Sequence, residues 1–195
     1  MRKFVLSLLA IAFGLSITDK FPAQTQNAPA VSPHPPRSTA TDISNSEIEA
    51  LVRKMAMEGG EEAISVVSMN GEYNIGAAVV SRLKTTGKEA PFAIEHSQIT
   101  EIYHVISGSG TLVTGGTLKD PTEVPPNDKT ATDAGPSTAG SNIQNGLSRK
   151  IGPGDVVIIP PNTPHRFSEV PTDKIAYLVV RVDPHKVLAA GDMPK

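Results

Sequence analysis

His96 to Gly110 reads HSQITEIYHVISGSG, and Gly154 to Phe167 reads GDVVIIPPNTPHRF. In the first stretch a histidine and a carboxylate, Glu101, precede an alternating apolar run that ends on a glycine turn. In the second, the run Val156 to Ile159 stops at Pro160 and Pro161, and His165 opens the next apolar stretch. Alternation with period two marks a half-buried strand, and Gly/Pro clusters mark turns. Both stretches therefore read as arms of separate β-hairpins, each carrying a metal-ligating side chain at an end. Two histidines and one carboxylate brought together in this way form a donor set for a divalent metal.

The pair of stretches resembles the two motifs of the cupin superfamily. The run His96-x4-Glu101-x6-Gly108 follows the second half of that family's first motif. Gly154-x5-Pro160, then Asn162 and His165, follow its second motif, with Asn162 where glycine is usual. Two positions depart from the pattern. Ile94 stands where the family has the first histidine of a His-x-His pair, and Glu169 stands where the second motif closes on asparagine. The resemblance covers roughly residues 60 to 185. It implies a double-stranded β-helix (a jelly roll), a barrel-bound metal, and frequent dimers.

Outward from these stretches, the spacing predicts an all-β chain with one helix. Strands are expected over 64–69, 73–83, 92–96, 100–106, 111–114, 147–151, 156–159, 165–167 and 175–182, with Asn70-Gly71 as a hairpin turn. Ser44 with Glu47 makes a capping box for a helix over 44–58, whose stripe of Ile48, Leu51, Val52 and Met55 should dock on the outside of the barrel or across a dimer interface. Residues 115–146 hold several Pro, Gly, Ser and Thr with few large apolar residues, and read as a loop insertion in a barrel spanning 60–185. Residues 186–195 read as a tail.

The N-terminus carries a basic Met1-Arg2-Lys3 followed by an apolar run from Phe4 to Ile17. That is the pattern of a signal peptide over 1–23, too short for a span of about 20 apolar residues. The expected product is exported, periplasmic or secreted, with no stable membrane anchor after cleavage. A Pro-rich linker follows over 24–43, and His34 within it reads as solvated.

Composition removes other function classes. The chain has no cysteine, so thiolate metal sites, disulfides, thiol nucleophiles and lipoprotein anchors are excluded. Lys+Arg at 18 against Asp+Glu at 20 gives no basic surface, so no nucleic-acid partner is expected. The turns Gly108–Gly110 and Gly152–Gly154 are flanked by strands, not by a helix N-terminus, so neither is a phosphate loop.

Strand parity sorts the candidates. An inward Glu101 brings Tyr103 and Val105 with it and turns Ile102, His104 and Ile106 outward. Ile94 shares a face with His96, and Phe167 shares one with His165. The expected metal ligands are His96, Glu101 and His165. The metal is Fe(II) or Mn(II) first, with Zn(II), Ni(II), Co(II) or Cu(II) as further options. Tyr103 and Gln98 are the candidate catalytic residues, orienting a substrate at open metal positions. Structural roles compete with each assignment. His165 could cap local backbone, Glu101 could pair with a buried Arg82 or Arg149, and Tyr103 could be core. His104 and His185 read as surface.

Two functions follow. One is an exported cupin acting on a small organic molecule by oxygenase, isomerase or lyase chemistry. The other is a non-catalytic module that binds a small ligand beside a degenerate metal site, with Ile94 as the lost ligand. Either is expected as a homodimer.

Overall fold

Asn70 and Gly71 both take positive φ, 55° and 77°, as a tight hairpin turn demands of its central pair. They join β1 (Gly60–Met69) to β2 (Tyr73–Leu83), which follow the helix α1 (Asn45–Lys54). This computed structural model describes residues 39–87 and 92–192. The signal-peptide reading over 1–23, and most of the linker with His34, lie outside the described residues.

The chain continues through β3 (Ala93–His96), β4 (Thr100–Ser107) and β5 (Gly110–Thr114). Then come β6 (Thr117–Lys119), β7 (Thr122–Glu123), α2 (Lys129–Ala134), β8 (Ser137–Gly140) and β9 (Asn142–Gln144). The last strands are β10 (Leu147–Ile151), β11 (Val156–Ile159), β12 (His165–Glu169), β13 (Lys174–Asp183) and β14 (Gly191–Asp192). One six-stranded sheet has the order β11-β4-β13-β2-β1-β14, the other β10-β5-β12-β3-β8-β7, and β6 and β9 form a separate pair. Every pairing among the described residues is antiparallel, including β11–β4 in the first sheet and β12–β5 in the second. The all-β jelly-roll expectation holds.

The sheets enclose one main apolar cluster. Ala78 and Val80 of β2, Tyr103 and Val105 of β4, Val157 and Ile159 of β11, and Ile175, Tyr177 and Val179 of β13 come from one sheet. Leu112 of β5 and Ile151 of β10 meet them from the other. Parity runs as the sequence implied: Glu101, Tyr103 and Val105 are buried while His104 is exposed. Burial of alternate β-branched and aromatic side chains is what fixes the register, because a one-residue slip would expose them all.

The two motif turns explain their own sequence. Gly108 has φ 75°, and a Cβ there would lie 1.8 Å from the Lys174 carbonyl oxygen. No side chain fits that position. Asn162 also sits at positive φ, 56°, which asparagine tolerates better than most residues. Its N–H donates to the His96 carbonyl at 2.8 Å, tying the second motif's turn to β3.

Three expectations are corrected. The helix ends at Lys54, a turn before the Gly59-Gly60 stop. Its stripe docks against β2, with Ile48, Leu51 and Val52 half-buried and Met55 buried at 3% exposure. Residues 115–146 are not a loop. They contain four short strands and α2, and β8 pairs with β3 over its whole length. The sequence of β8, Ser-Thr-Ala-Gly, lacks large apolar groups because it lies between β3 and β7, where small residues fit. The expected tail is likewise structured in part. The Asp183 carboxylate accepts from the N–H groups of Val187 and Leu188, at 3.0 and 2.8 Å. That turn buries Leu188 against Val66 and Ile99, and β14 then pairs with β1.

Candidate metal centre

His96 ends β3, Glu101 lies second in β4, and His165 opens β12. All three are buried, at 6, 2 and 5% exposure. Their ligand atoms lie within 4.8 Å of one another. His96 Nε2 is 3.7 Å from Glu101 Oε2, and His165 Nε2 is 3.3 Å from the same oxygen. Metal–ligand bonds of about 2.0–2.2 Å put neighbouring donors roughly 3.0–3.5 Å apart, so this spacing needs only a small contraction to hold an ion.

The hydrogen bonds fix both imidazole tautomers. The Ser137 hydroxyl donates to the Gly135 carbonyl at 2.7 Å, so its single proton is committed. It must then accept from His96 Nδ1, 2.7 Å away, and that nitrogen carries the proton. His165 Nδ1 lies 3.0 Å from the Thr163 carbonyl, which can only accept, so it too is the protonated nitrogen. With both Nδ1 atoms engaged elsewhere, the two Nε2 atoms face one carboxylate oxygen, an arrangement that a metal ion can bridge.

The protonation states agree. Burial, only partly offset by Glu101, lowers the His96 pKa from 6.5 to about 4, so the ring is neutral at pH 7. Burial pushes the Glu101 carboxyl up, but the contact with His165 and then the Arg181 guanidinium outweigh it, leaving the group ionised well below the usual range. Glu101 does pair with a buried arginine, but with neither Arg82 nor Arg149. Arg181 Nε and Nη2 donate to Oε1 at 3.0 and 2.9 Å. The same guanidinium reaches both oxygens of Glu61, at 2.5 and 3.2 Å, and the Asp133 carbonyl at 2.9 Å. Arg181 thus occupies one face of Glu101 and leaves Oε2 for the histidines.

Tyr103 joins the cluster: its hydroxyl donates to Glu101 Oε2 at 2.8 Å. Burial and then the Glu101 charge raise its pKa well above 10, so it keeps its proton. Its ring packs on Tyr177, with centroids 4.4 Å apart. Gln98 does not join. It sits half-buried in the bend between β3 and β4 and is not among the residues lining the cavities at the site. His104 and His185 are exposed, as parity and position implied. Ile94 pairs directly with His165 and lines the cavity, placing an apolar group at the missing ligand position.

Sequence reading missed Arg181, Glu61 and Ser137. Arg181 was the most legible of these, since it shares inward parity with Ile175, Tyr177 and Val179 in an otherwise apolar strand. Nothing in the local sequence of Glu61 or Ser137 marks them, because their partners are 120 and 41 residues away.

The AraC-like ligand-binding domain family matches residues 145–192, which include β10 through β14 and His165. No curated protein matches the sequence. Among solved structures, the chain is similar to a cupin protein of Bacteroides fragilis, at 18% identity, 60% of this chain, 72% of that chain and a TM-score of 0.36. It is similar to the DMSP lyase DddQ of Ruegeria pomeroyi, at 18% identity over 70% of this chain and 49% of that one, with a TM-score of 0.38. It is also similar to the oxalate decarboxylase of Lactobacillus farciminis, at 15% identity over 70% and 31%, with a TM-score of 0.41. The chain spans less than two thirds of the length of the lyase and the decarboxylase. The family match covers 48 of the 195 residues, the C-terminal part of the barrel that carries His165.

Proposed function

We propose that His96 Nε2, Glu101 Oε2 and His165 Nε2 hold one divalent metal ion, and that the barrel acts on a small organic molecule at the positions left open. The observation that carries this reading is the buried convergence of two Nε2 atoms and a carboxylate oxygen, with both Nδ1 atoms held by other partners. Two histidines with one carboxylate suit Fe(II) or Mn(II), and such an ion supplies Lewis-acid or redox chemistry to a bound substrate. The protein's own part is positional. Ser137 and the Thr163 carbonyl orient the rings, Arg181 keeps Glu101 to one free oxygen, and Tyr103 holds a proton beside that oxygen. The donor set is compatible with oxygenase, isomerase or lyase chemistry.

A second reading, ligand capture without turnover, draws on Ile94 at the missing ligand position and on the ligand-binding family that matches the C-terminal strands. Elemental analysis separates the readings at their root. The full chain, purified without chelator or His-tag, is expected to carry about one equivalent of metal, with wide loss in His96→Ala and His165→Ala. A wild-type protein that stays metal-free after incubation with Fe(II) and Mn(II) would overturn the metal reading and leave ligand capture. Export is part of the same proposal and draws on the sequence pattern of residues 1–23. It predicts an extracytoplasmic product whose N-terminal sequencing begins near Gln24.

A further inference from the structure

The cavity beside the three donors contains a cation that the metal reading does not use. Arg82 lies in β2 on the inward parity of Ala78 and Val80, opposite Ile175 of β13. It lines the same cavity of about 330 Å³ as His96, Glu101 and His165. It is exposed, and its strand parity points it into the barrel. A guanidinium is a permanent cation with a planar fork of donors. Here the fork meets the Tyr177 hydroxyl. Among the described residues no carboxylate lies within ion-pair distance of Arg82, although the charge of Glu61 reaches it, and Arg181 takes up both Glu61 and Glu101.

Charge around the cavity points the same way. Lys129 pairs with Asp133, and Lys54 pairs with Glu62, so those charges cancel at the rim. Inside, the two carboxylates Glu61 and Glu101 balance the two guanidiniums Arg82 and Arg181. A divalent ion at the donor set would leave an excess of two positive charges in the cavity. That excess favours an anionic ligand. The walls between the donors and Arg82 are Ile94, Tyr103 and Tyr177, which suit an apolar body.

We infer that the cavity's ligand is a small organic carboxylate. Its carboxylate docks on the Arg82 fork, its body lies against Ile94, Tyr103 and Tyr177, and its far end reaches the open side of the metal site. The charge excess and that far end rest on the metal reading; the place of Arg82 does not.

The test titrates the purified full chain with benzoate and 3-phenylpropanoate, and with benzamide and 3-phenylpropanamide as neutral controls, by calorimetry. Each sample is assayed for bound metal. Wild type is expected to bind at least one acid, and to bind it at least about tenfold more tightly than its amide, because the charge-assisted pairing is lost with the amide. Arg82→Gln should remove that preference, Arg82→Lys should restore part of it, and metal content should be the same in all three. Failure of wild type to bind either acid, or an acid preference undiminished in Arg82→Gln, overturns the inference. The comparison of acid with amide on wild type stands even if a variant fails to fold. A metal-free protein that still prefers the acid through Arg82 would sink the metal reading and keep this inference. One metal per chain with no acid preference would do the reverse.

Discussion

At the scale of single residues, the site depends on one arginine that sequence reading missed. Arg181 neutralises two carboxylates in the barrel interior, and both Glu101 and Arg181 are nearly inaccessible, at 2 and 5% exposure. Burial works against its charge, and Glu61 and then Glu101 outweigh that and raise its pKa. Removing one member of such a group strands the others as uncompensated charges. Arg181→Met should therefore cost about 3–5 kcal/mol at pH 7, read from urea unfolding, because buried Glu101 and half-buried Glu61 lose their shared partner. Adding Glu61→Gln to that variant should recover part of the loss. A near-wild-type midpoint for Arg181→Met would mean the carboxylates are solvated, contrary to their burial. The acid side follows from His96. Its pKa is 6.5 in the unfolded chain and about 4 in the fold, so between those values the unfolded state binds a proton that the native state refuses. Stability is then highest above pH 6.5 and falls as pH drops towards 4, by up to roughly 3 kcal/mol in the metal-free protein. Glu101, with its depressed pKa, adds stability that is present above pH 4.5 and lost below it. Unfolding curves at pH 7 and pH 5 measure the His96 share, and His96→Gln should flatten the difference. An equal slope in the variant would assign the pH dependence elsewhere.

At the scale of elements, β8 shows how a strand without strand-like sequence can serve the site. Its four small residues carry no apolar alternation, yet it pairs with β3 in register from Ala93 against Gly140 to His96 against Ser137. That register places the Ser137 hydroxyl on His96 Nδ1. Ser137→Ala should leave the sheet intact and weaken metal binding by about 10–100-fold, the usual cost of losing a ligand's orienting partner. Competition with a fluorescent chelator measures it, and unchanged affinity would show that the His96 ring is held by packing alone. The same contrast explains what the sequence reveals. The nine expected strands, the Asn70-Gly71 turn and the three donors were legible because alternation, turn chemistry and local spacing are properties of short windows. Ser137, Glu61 and the turn that buries Leu188 were not, because each depends on a partner far away in the chain. Gln98 is hard to place for a related reason. It lies outside both β3 and β4, so strand parity says nothing about its direction.

At the scale of the whole molecule, the outer face of the β11–β4–β13 sheet invites a partner. Ile158 of β11 lies opposite Ile102 of β4, which lies opposite Val180 of β13. These side chains form an apolar row on the face away from the cavity, and Ile158 and Val156 are 64 and 60% exposed. β11 is also an edge strand, with β4 as its one neighbour in the sheet. An edge strand with exposed β-branched residues is a pairing hazard unless it is covered or charged. No Lys, Arg, Asp or Glu lies within Val156–Ile159 to guard it. The helix α1 contacts β2, three strands away from β11 in the sheet order. A homodimer is therefore proposed, with a second copy's β11 edge as the covering surface. Light scattering of wild type should give twice the chain mass. Ile158→Lys should give a monomer with its metal content unchanged, because Ile158 points away from the donors. A wild type that is monomeric at tens of micromolar would end the dimer proposal. A dimer that survives Ile158→Lys and Val156→Lys together would place the interface on another face.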